Sequence, residues 1–127
     1  MARILIADDN PDLLEITTAT LEDRGHEVIS VVNGAEVIEQ LELQPIDLLV
    51  TDVLMPDKEG IETILEIRRT NPILPIIAIS GGGHVGPVDY LTMARAAGAN
   101  AALTKPVAPS KLASAIEELL GNPPAPA

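Results

Sequence analysis

The stretch that decides the fold of this chain is LLVTDVLMP, which occupies Leu48–Pro56. Apolar residues come first, a single carboxylate follows at Asp52, and a Met-Pro step then turns the chain away. The run from Ile46 to Val50 is typical of a strand that is buried on both faces, as in a parallel sheet. Open α/β sheets keep their ligand crevice at the carboxyl ends of such strands. We therefore expect Asp52 to face that crevice beside a cationic partner, because an unpaired buried charge is costly.

Two other predicted strands also end in charged side chains. The run Ile4–Ala7 leads directly into Asp8 and Asp9, and the run Ala101–Thr104 leads into a Lys-Pro step at Lys105. The carboxyl ends of parallel strands lie at one edge of a sheet. The sequence therefore predicts that two acidic strand ends and one basic strand end converge at a single place.

The composition limits the classes of function that the chain can perform. Its 127 residues suit one domain with a real core. The balance of 8 Lys and Arg against 19 Asp and Glu gives a net charge of −11, which argues against binding nucleic acid or anionic membranes through a basic surface. The only aromatic residue is Tyr90, so base-stacking platforms are absent. The chain has no Cys, no apolar run long enough to span a membrane and no leader pattern, which favours a cytoplasmic protein.

Strand and helix patterns alternate along the chain. Asn10 followed by Pro11 predicts the start of the first helix. The i, i+3, i+4 spacing of Ile61, Ile64 and Leu65 predicts the inner face of the third helix. The predicted strands cover residues 3–7, 27–32, 46–50, 75–80 and 101–104. Five strands alternating with five helices predict a doubly wound α/β fold with a parallel sheet.

The residues at the strand ends resemble the receiver domain of bacterial response regulators. The resemblance depends on the Asp8-Asp9 pair, on Asp52 with its Met-Pro step, on Ser80 at the end of the fourth strand, and on Lys105. It covers the chain up to about Gly121 and implies a flavodoxin-like strand order of 2-1-3-4-5. We expect one domain over residues 1–121 and a disordered, Pro- and Ala-rich tail over residues 122–127.

The resemblance also implies a Mg²⁺ site. Asp8, Asp9 and Asp52 would bind the metal, and the backbone carbonyl of Leu54 would add a further ligand. The chemistry is reasonable by itself, because carboxylates crowded together repel one another and a hard cation with oxygen ligands keeps them ionised.

The same resemblance implies a phosphoryl-transfer site. Asp52 would accept the phosphoryl group, Ser80 would donate a hydrogen bond to a phosphoryl oxygen, and Lys105 would form an ion pair with it. The peptide bond before Pro106 would be cis. The phosphorylated side chain would gain about −1.5 to −2 of charge by analogy with other phosphorylated residues.

The implied function is that of a single-domain response regulator in a two-component phosphorelay. Its partners would be a histidine kinase or histidine phosphotransfer protein and a downstream protein, and it would catalyse only its own phosphorylation and dephosphorylation. One alternative is a degenerate receiver that acts as a phosphorylation-independent interaction module. Another is a Mg²⁺-dependent phosphohydrolase with an Asp nucleophile. Such enzymes usually have a second Asp two residues after the nucleophile, where this chain has Leu54.

Some positions depart from the family's pattern or have no predicted role in it. Ala102 stands where the family usually has Tyr or Phe, so an aromatic relay cannot report phosphorylation here, and we expect the Gly81–Gly86 loop and the following helix to do so instead. His26 and His84 have no metal-ligand spacing and are expected to face solvent. The run Glu66–Arg69 is expected to be a solvated helix face.

Overall fold

Strands and helices alternate in the computed structural model, which describes residues 2–53, 59–80 and 90–121. In chain order the elements are β1 (Arg3–Ala7), α1 (Pro11–Asp23), β2 (Glu27–Val31), α2 (Gly34–Leu43), β3 (Leu48–Asp52), α3 (Glu59–Thr70), β4 (Ile76–Ser80), α4 (Tyr90–Ala97), β5 (Ala101–Thr104) and α5 (Pro109–Leu119). The predicted alternation is confirmed. None of the helices in these ranges has the length and apolar character needed to cross a membrane.

The strands form a single parallel sheet with the order β2-β1-β3-β4-β5. This order confirms the predicted doubly wound α/β fold. The central strand β3 lies between β1 and β4, with Thr51 opposite Ala7 and Asp52 opposite Ile79. The last residue of β3 therefore lies between the ends of both neighbouring strands.

The first two helices begin at asparagine caps. The side chain of Asn10 accepts hydrogen bonds from the backbone N–H groups of Asp12 and Leu13, which would otherwise have no partner inside α1. Asn33 caps α2 in the same way, through the N–H of Glu36. The caps fix where the chain leaves each strand end and enters the next helix.

Apolar side chains alternate along the strands and build two cores, one on each side of the sheet. On one side Ile6, Val50 and Ile79 pack against α1 and α5. On the other side residues such as Leu49 and Ala78 pack against the helices α2 to α4. The alternation matters for the site, since it assigns Asp52 to the α1 and α5 side and Ser80 to the α3 and α4 side.

Three sequence expectations about exposure are wrong. Leu65 is exposed, and Ile67 fills the core of α3 in its place. His26 is buried, with Nε2 at 3.2 Å from Glu117 Oε2 of α5. Arg68 is half-buried and hydrogen-bonded rather than solvated. For His26 and Arg68 a contact distant in sequence decided the environment.

Several other expectations fall on residues outside the described ranges. These are the Leu54 carbonyl, the Gly81–Gly86 loop, His84 and the tail over residues 122–127. They stay predictions.

Candidate functional site

Charged side chains from three strand ends meet at the carboxyl edge of the sheet. Asp8 follows β1, Asp52 ends β3, and Lys105 follows β5. The Lys105 Nζ lies 2.8 Å from Asp52 Oδ2 and 3.2 Å from Asp8 Oδ2. Asp8 and Asp52 are both buried, with about 4% of each residue exposed. The structure thus gives Asp52 the cationic partner that its burial requires.

The loop after β1 holds Asp8 in a defined orientation. The backbone N–H of Asn10 donates to Asp8 Oδ1 at 2.9 Å, while the Asn10 side chain caps α1. One residue therefore both starts the helix and fixes the carboxylate. Its capping role is visible in the sequence, but its contact with Asp8 is not.

Burial is the largest single influence on the pKa of Asp8 and on that of Lys105. Burial raises the pKa of the Asp8 carboxyl, and the nearby Asp52 adds to this increase. The hydrogen bond from Asn10 and the charge of Lys105 oppose it without cancelling it. For Lys105, burial lowers the pKa, but the contacts with Asp52 and Asp8 outweigh burial and leave the pKa above its usual value. Lys105 therefore stays protonated at neutral pH.

The acidic residues at this edge have the composition of a hard-metal site. Carboxylate oxygens of Asp8, Asp9 and Asp52 lie within 4.8 Å of one another. Asp9 is exposed, whereas Asp8 and Asp52 are buried, so the group opens to solvent on the Asp9 side. Oxygen ligands of this kind suit Mg²⁺. Among the described residues, the ammonium of Lys105 is the one cation in contact with these carboxylates, and it cannot balance all three, which is a physical reason for a further cation to bind.

A glycine in α3 brings that helix close to the backbone of Asp52. A Cβ atom on Gly60 would collide with the carbonyl oxygen of Asp52 and lie 2.6 Å from the Cα of Val53. Only glycine allows this approach. A glycine inside a helical pattern is a usual sign of such a close contact. The close approach at Gly60 could therefore have been predicted from the sequence, although Gly60 lies outside the strand-end motifs.

Ser80 and Lys105 are linked through the backbone at the neighbouring strand ends. The N–H of Lys105 donates to the carbonyl oxygen of Ser80 at 2.8 Å. Ser80 is buried beside the strand that carries Asp52, but the alternation of β4 assigns it to the opposite face of the sheet. The Lys105–Pro106 peptide bond is cis, as the family resemblance predicted.

A mostly apolar cavity of about 460 Å³ opens beside the charged residues. It lies between the start of α1 and the segment that joins β5 to α5. Its lining consists of Asn10, Leu13, Thr17, Ile79, Lys105, Pro106, Val107 and Leu112. Lys105 is shared between the cavity and the acidic group, so a molecule bound in the cavity would lie next to Asp52.

Comparison with known proteins defines the class to which this fold and site belong. The family model for the response regulator receiver domain matches residues 4–117. The chain belongs to the response regulator receiver domain family. This is a family of signalling domains from two-component systems, and the predicted resemblance is confirmed.

Individual relatives agree with this assignment. The chain is similar to the transcriptional regulatory protein GlrR of Escherichia coli (strain K12), with 31% identity over 119 residues that make up 94% of this chain and 26% of that protein. It is 38% identical over 81 residues to the response regulator receiver protein CpdR of Brucella abortus (strain 2308), which is 64% of this chain and 68% of that one. The chain thus spans about a quarter of the first relative and about two thirds of the second.

A solved structure shares the whole architecture. The CheY-like response regulator receiver domain protein from Methanospirillum hungatei JF-1 superposes with a TM-score of 0.85 at 30% sequence identity. The match covers 96% of this chain and 95% of that chain. The fold of the described residues is therefore the fold of this family.

Proposed function

We propose that the protein is a phosphorylation-controlled receiver in a two-component phosphorelay and that Asp52 is its phosphoacceptor. The observation that supports this most directly is the pairing of a buried Asp52 with Lys105 at 2.8 Å inside an acidic group. A carboxylate kept in a buried site beside an ammonium is a positioned nucleophile rather than a solvated surface charge.

The proposed reaction moves a phosphoryl group from nitrogen to oxygen. A carboxylate oxygen of Asp52 attacks the phosphorus of a phosphohistidine on a histidine kinase or phosphotransfer protein. The new P–O bond forms as the P–N bond breaks, and the imidazole leaves with the electron pair of that bond. The product is an acyl phosphate, which water can later hydrolyse back to the carboxylate and inorganic phosphate.

Each residue of the site has a proposed role in this transfer. Lys105 moves its ammonium from the two carboxylates to a phosphoryl oxygen, where it balances charge as a point donor. Asp8 and Asp9, with Asp52, would hold Mg²⁺, and the Leu54 carbonyl is proposed as a further ligand. When bound, the ion supplies positive charge that keeps the carboxylates ionised and neutralises phosphoryl oxygens. Asn10 keeps Asp8 oriented.

Ser80 is proposed to report the phosphorylated state. Its hydroxyl would have to turn toward the α1 and α5 side of the sheet to donate to a phosphoryl oxygen, because the alternation of β4 assigns it to the α3 and α4 side. That movement would change the packing near α4. Ala102, which lies one strand away on β5, has no side-chain rotamer that could take part.

The phosphodonor is proposed to dock over the start of α1 and the cavity beside Lys105. A histidine side chain that reaches Asp52 must be held by residues that flank the site, and this cavity is the apolar surface next to it. The proposal places the protein in the cytoplasm, which agrees with the absence of Cys. The phosphorylated form would then bind a downstream protein partner differently from the unmodified form.

Intact-mass measurement after incubation with Mg²⁺ and acetyl phosphate tests the proposal. The wild-type chain should gain the mass of one phosphoryl group, and hydroxylamine should remove it, because an acyl phosphate is labile. Asp52→Asn should gain nothing. Asp23→Asn removes an exposed carboxylate at the other end of α1 and should behave as wild type.

The same experiment separates the alternatives. A wild-type chain that gains no adduct would contradict the proposal and favour an interaction module that works without phosphate. Release of phosphate from an added phosphomonoester, with an Asp52-dependent rate, would favour a phosphohydrolase. A pull-down with and without beryllofluoride then tests whether the modified state changes partner binding.

A further inference from the structure

The cavity between the start of α1 and the segment after β5 is large and lined mainly by aliphatic side chains. Its volume is about 460 Å³, and Leu13, Ile79 and Val107 are part of its lining. The sequence contains no Phe or Trp, and its one Tyr belongs to α4, which packs on the other side of the sheet. A cavity of this volume falls within the range of sites that hold small molecules.

Two polar side chains at the edge of the lining have hydrogen-bond donors to spare. The Lys105 ammonium carries three N–H groups, and Asp52 and Asp8 accept two of them, which leaves one for a further acceptor. The side-chain oxygen of Asn10 is engaged in capping α1, so its NH₂ group remains for another partner. A bound molecule would therefore meet donors rather than acceptors.

Thr17 is the most buried polar residue of the lining. It is about 4% exposed, and its hydroxyl makes no hydrogen bond with any other residue in the described ranges. Thr20, in the same helix, differs in this respect, because its hydroxyl donates to the carbonyl oxygen of Ile16 at 3.1 Å. A buried hydroxyl without a partner costs free energy. A molecule that brings an oxygen into the cavity would remove that cost.

A second cavity, of about 20 Å³, lies between the large cavity and the carboxylates. Thr17 and Ile79 line both cavities, whereas Asp8 and Asp52 line the small one alone. A volume of 20 Å³ has room for about one water molecule. A molecule in the large cavity therefore lies beside Lys105 but is kept from direct contact with the two carboxylates.

The charges around the cavity favour a neutral occupant. A cation would meet the Lys105 ammonium without reaching a carboxylate that could pair with it. An anion would have to compete with Asp52 and Asp8 for that ammonium, and both carboxylates would repel it at short range. A neutral oxygen acceptor on an apolar body avoids both costs.

We propose that this cavity is a binding site for a neutral, mostly apolar small molecule that carries a carbonyl oxygen. The apolar body packs against the aliphatic lining, and the Thr17 hydroxyl donates a hydrogen bond to the carbonyl oxygen. The binding site itself does not depend on the role of Asp52. Its effect on signalling rests on the proposed function, because an occupant would compete with a phosphodonor that docks over the same cavity.

Backbone amide NMR titration with three probes of similar size tests the proposal. Benzylacetone, hydrocinnamate and phenylpropylamine share a phenylalkyl body and differ in their head groups, which are a ketone, a carboxylate and an ammonium. The ketone should give saturable chemical-shift changes at Leu13, Thr17 and Val107, with a Kd below about 1 mM. The two charged probes should bind at least about fivefold more weakly.

Three variants locate the bound ketone. Thr17→Val removes the hydroxyl at nearly constant volume and should weaken binding about fivefold, the size expected for one hydrogen bond. Thr18→Val makes the same change at the next position, which lines a groove between α1 and β2, and should match wild type. Val107→Phe fills part of the cavity and should weaken binding at least about tenfold. If that chain does not fold, the comparison of the two threonine variants decides the question.

The outcomes are independent of the phosphoacceptor function. The absence of saturable changes with every probe, equal binding by Thr17→Val and Thr18→Val, or wild-type binding by a folded Val107→Phe chain would overturn the site. Tighter binding of hydrocinnamate or of phenylpropylamine than of the ketone would overturn the neutral ligand class. None of these results changes the mass measurement with acetyl phosphate, which tests Asp52 separately.

Discussion

The two edges of the sheet each hold a partly buried cation among oxygen acceptors, but the charge of the acceptors differs. At the carboxyl edge Lys105 faces the carboxylates of Asp8 and Asp52. At the amino edge Arg68 donates to neutral oxygens of Asn71, Gly98 and Asn100. Within the described part of the chain, the acidic group at the carboxyl edge has more negative charge than Lys105 can balance, whereas the donors of Arg68 are matched by neutral oxygens.

From this difference we expect the acidic group, and not the contacts of Arg68, to respond to a bound cation or an added phosphoryl group. A site with excess buried negative charge changes its energy when a cation binds or a phosphoryl group is added. A cluster of charge-assisted hydrogen bonds to neutral acceptors has no such dependence on metal or on acid near neutral pH. We expect variants at the two edges to differ accordingly in activity, in stability and in their response to Mg²⁺.

The largest effect is expected at Lys105. Lys105→Met should slow formation of the phosphoryl adduct from acetyl phosphate by about 100-fold, the size of effect seen when one charge-stabilising donor is removed from an active site. It should also destabilise the metal-free protein by about 2 kcal/mol, because two buried carboxylates lose their cation. Added Mg²⁺ should restore part of that stability. Urea unfolding with and without Mg²⁺, together with intact-mass kinetics, provides the measurement.

The matched control for this variant is Lys111→Met, at an exposed position in α5. It should leave both the adduct rate and the midpoint of unfolding within error of wild type. Equal effects of the two substitutions would show that net charge, and not the position of Lys105, matters.

The next largest effects are expected from alanine substitutions of a glycine at each edge of the sheet, and the two substitutions should differ in size. Gly60→Ala places a methyl group against the backbone of Asp52 and Val53, which cannot move aside, so we expect a loss of about 2 kcal/mol in the free energy of unfolding. Gly98→Ala meets the flexible side chain of Arg68 and a positive φ, and should cost about 1 kcal/mol. Only the first variant should slow adduct formation.

Gly25→Ala separates backbone strain from crowding. Gly25 has a φ of 92°, and no other group lies within 4 Å of the position that a Cβ atom would take, so its substitution measures the conformational cost alone. A Gly60→Ala chain more stable than wild type, as for an ordinary helix glycine, would contradict the close approach of α3 to Asp52.

The smallest effect on stability is expected at Asp8. It is a gain in stability, whereas the variants at Lys105, Gly60 and Gly98 should lose stability. Because the pKa of Asp8 is raised in the folded protein, folding favours the protonated acid. That contribution is fully present below the pKa of an unfolded aspartic acid and is lost as pH rises through the higher folded pKa. At neutral pH, Asp8→Asn should therefore stabilise the metal-free protein by about 1 kcal/mol while weakening Mg²⁺ binding.

Asp9→Asn is the control for this prediction. It removes an exposed carboxylate from the same acidic group, so it should weaken Mg²⁺ binding without the gain in stability. Thermal unfolding of both variants at pH 4 and pH 7 tests the sign, since the difference between Asp8→Asn and wild type should shrink at the lower pH. An Asp8→Asn chain less stable than wild type at pH 7 would show that its contact with Lys105 dominates over burial.

Much of the site could be predicted from local sequence. Asp8, Asp52 and Lys105 each follow an apolar run, and parallel strands deliver their carboxyl ends to one edge, so convergence required only the correct fold class. Asn10 could be assigned as a cap from the Pro that follows it. These features depend on residues close in sequence or on a general rule of sheet topology.

The remaining features depend on contacts that the sequence does not encode locally. His26 was expected at the surface, but α5 covers it through Glu117, which lies 91 residues away. Arg68 lies in a run of charged residues, and its acceptors at Gly98 and Asn100 lie beyond a different helix and before a different strand. No periodicity in either segment indicates these partners.

The sequence by itself determined the parallel α/β fold, the acidic and basic strand ends, and the family to which the chain belongs, because periodicity and strand-end chemistry are local properties. Only the tertiary structure decided that Asp8 is buried and Asp9 exposed, that Gly60 must lack a side chain, and that Arg68 holds the end of α4. The physical reason is that burial and hydrogen-bond partners are set by which elements pack together, and packing joins residues that are far apart along the chain.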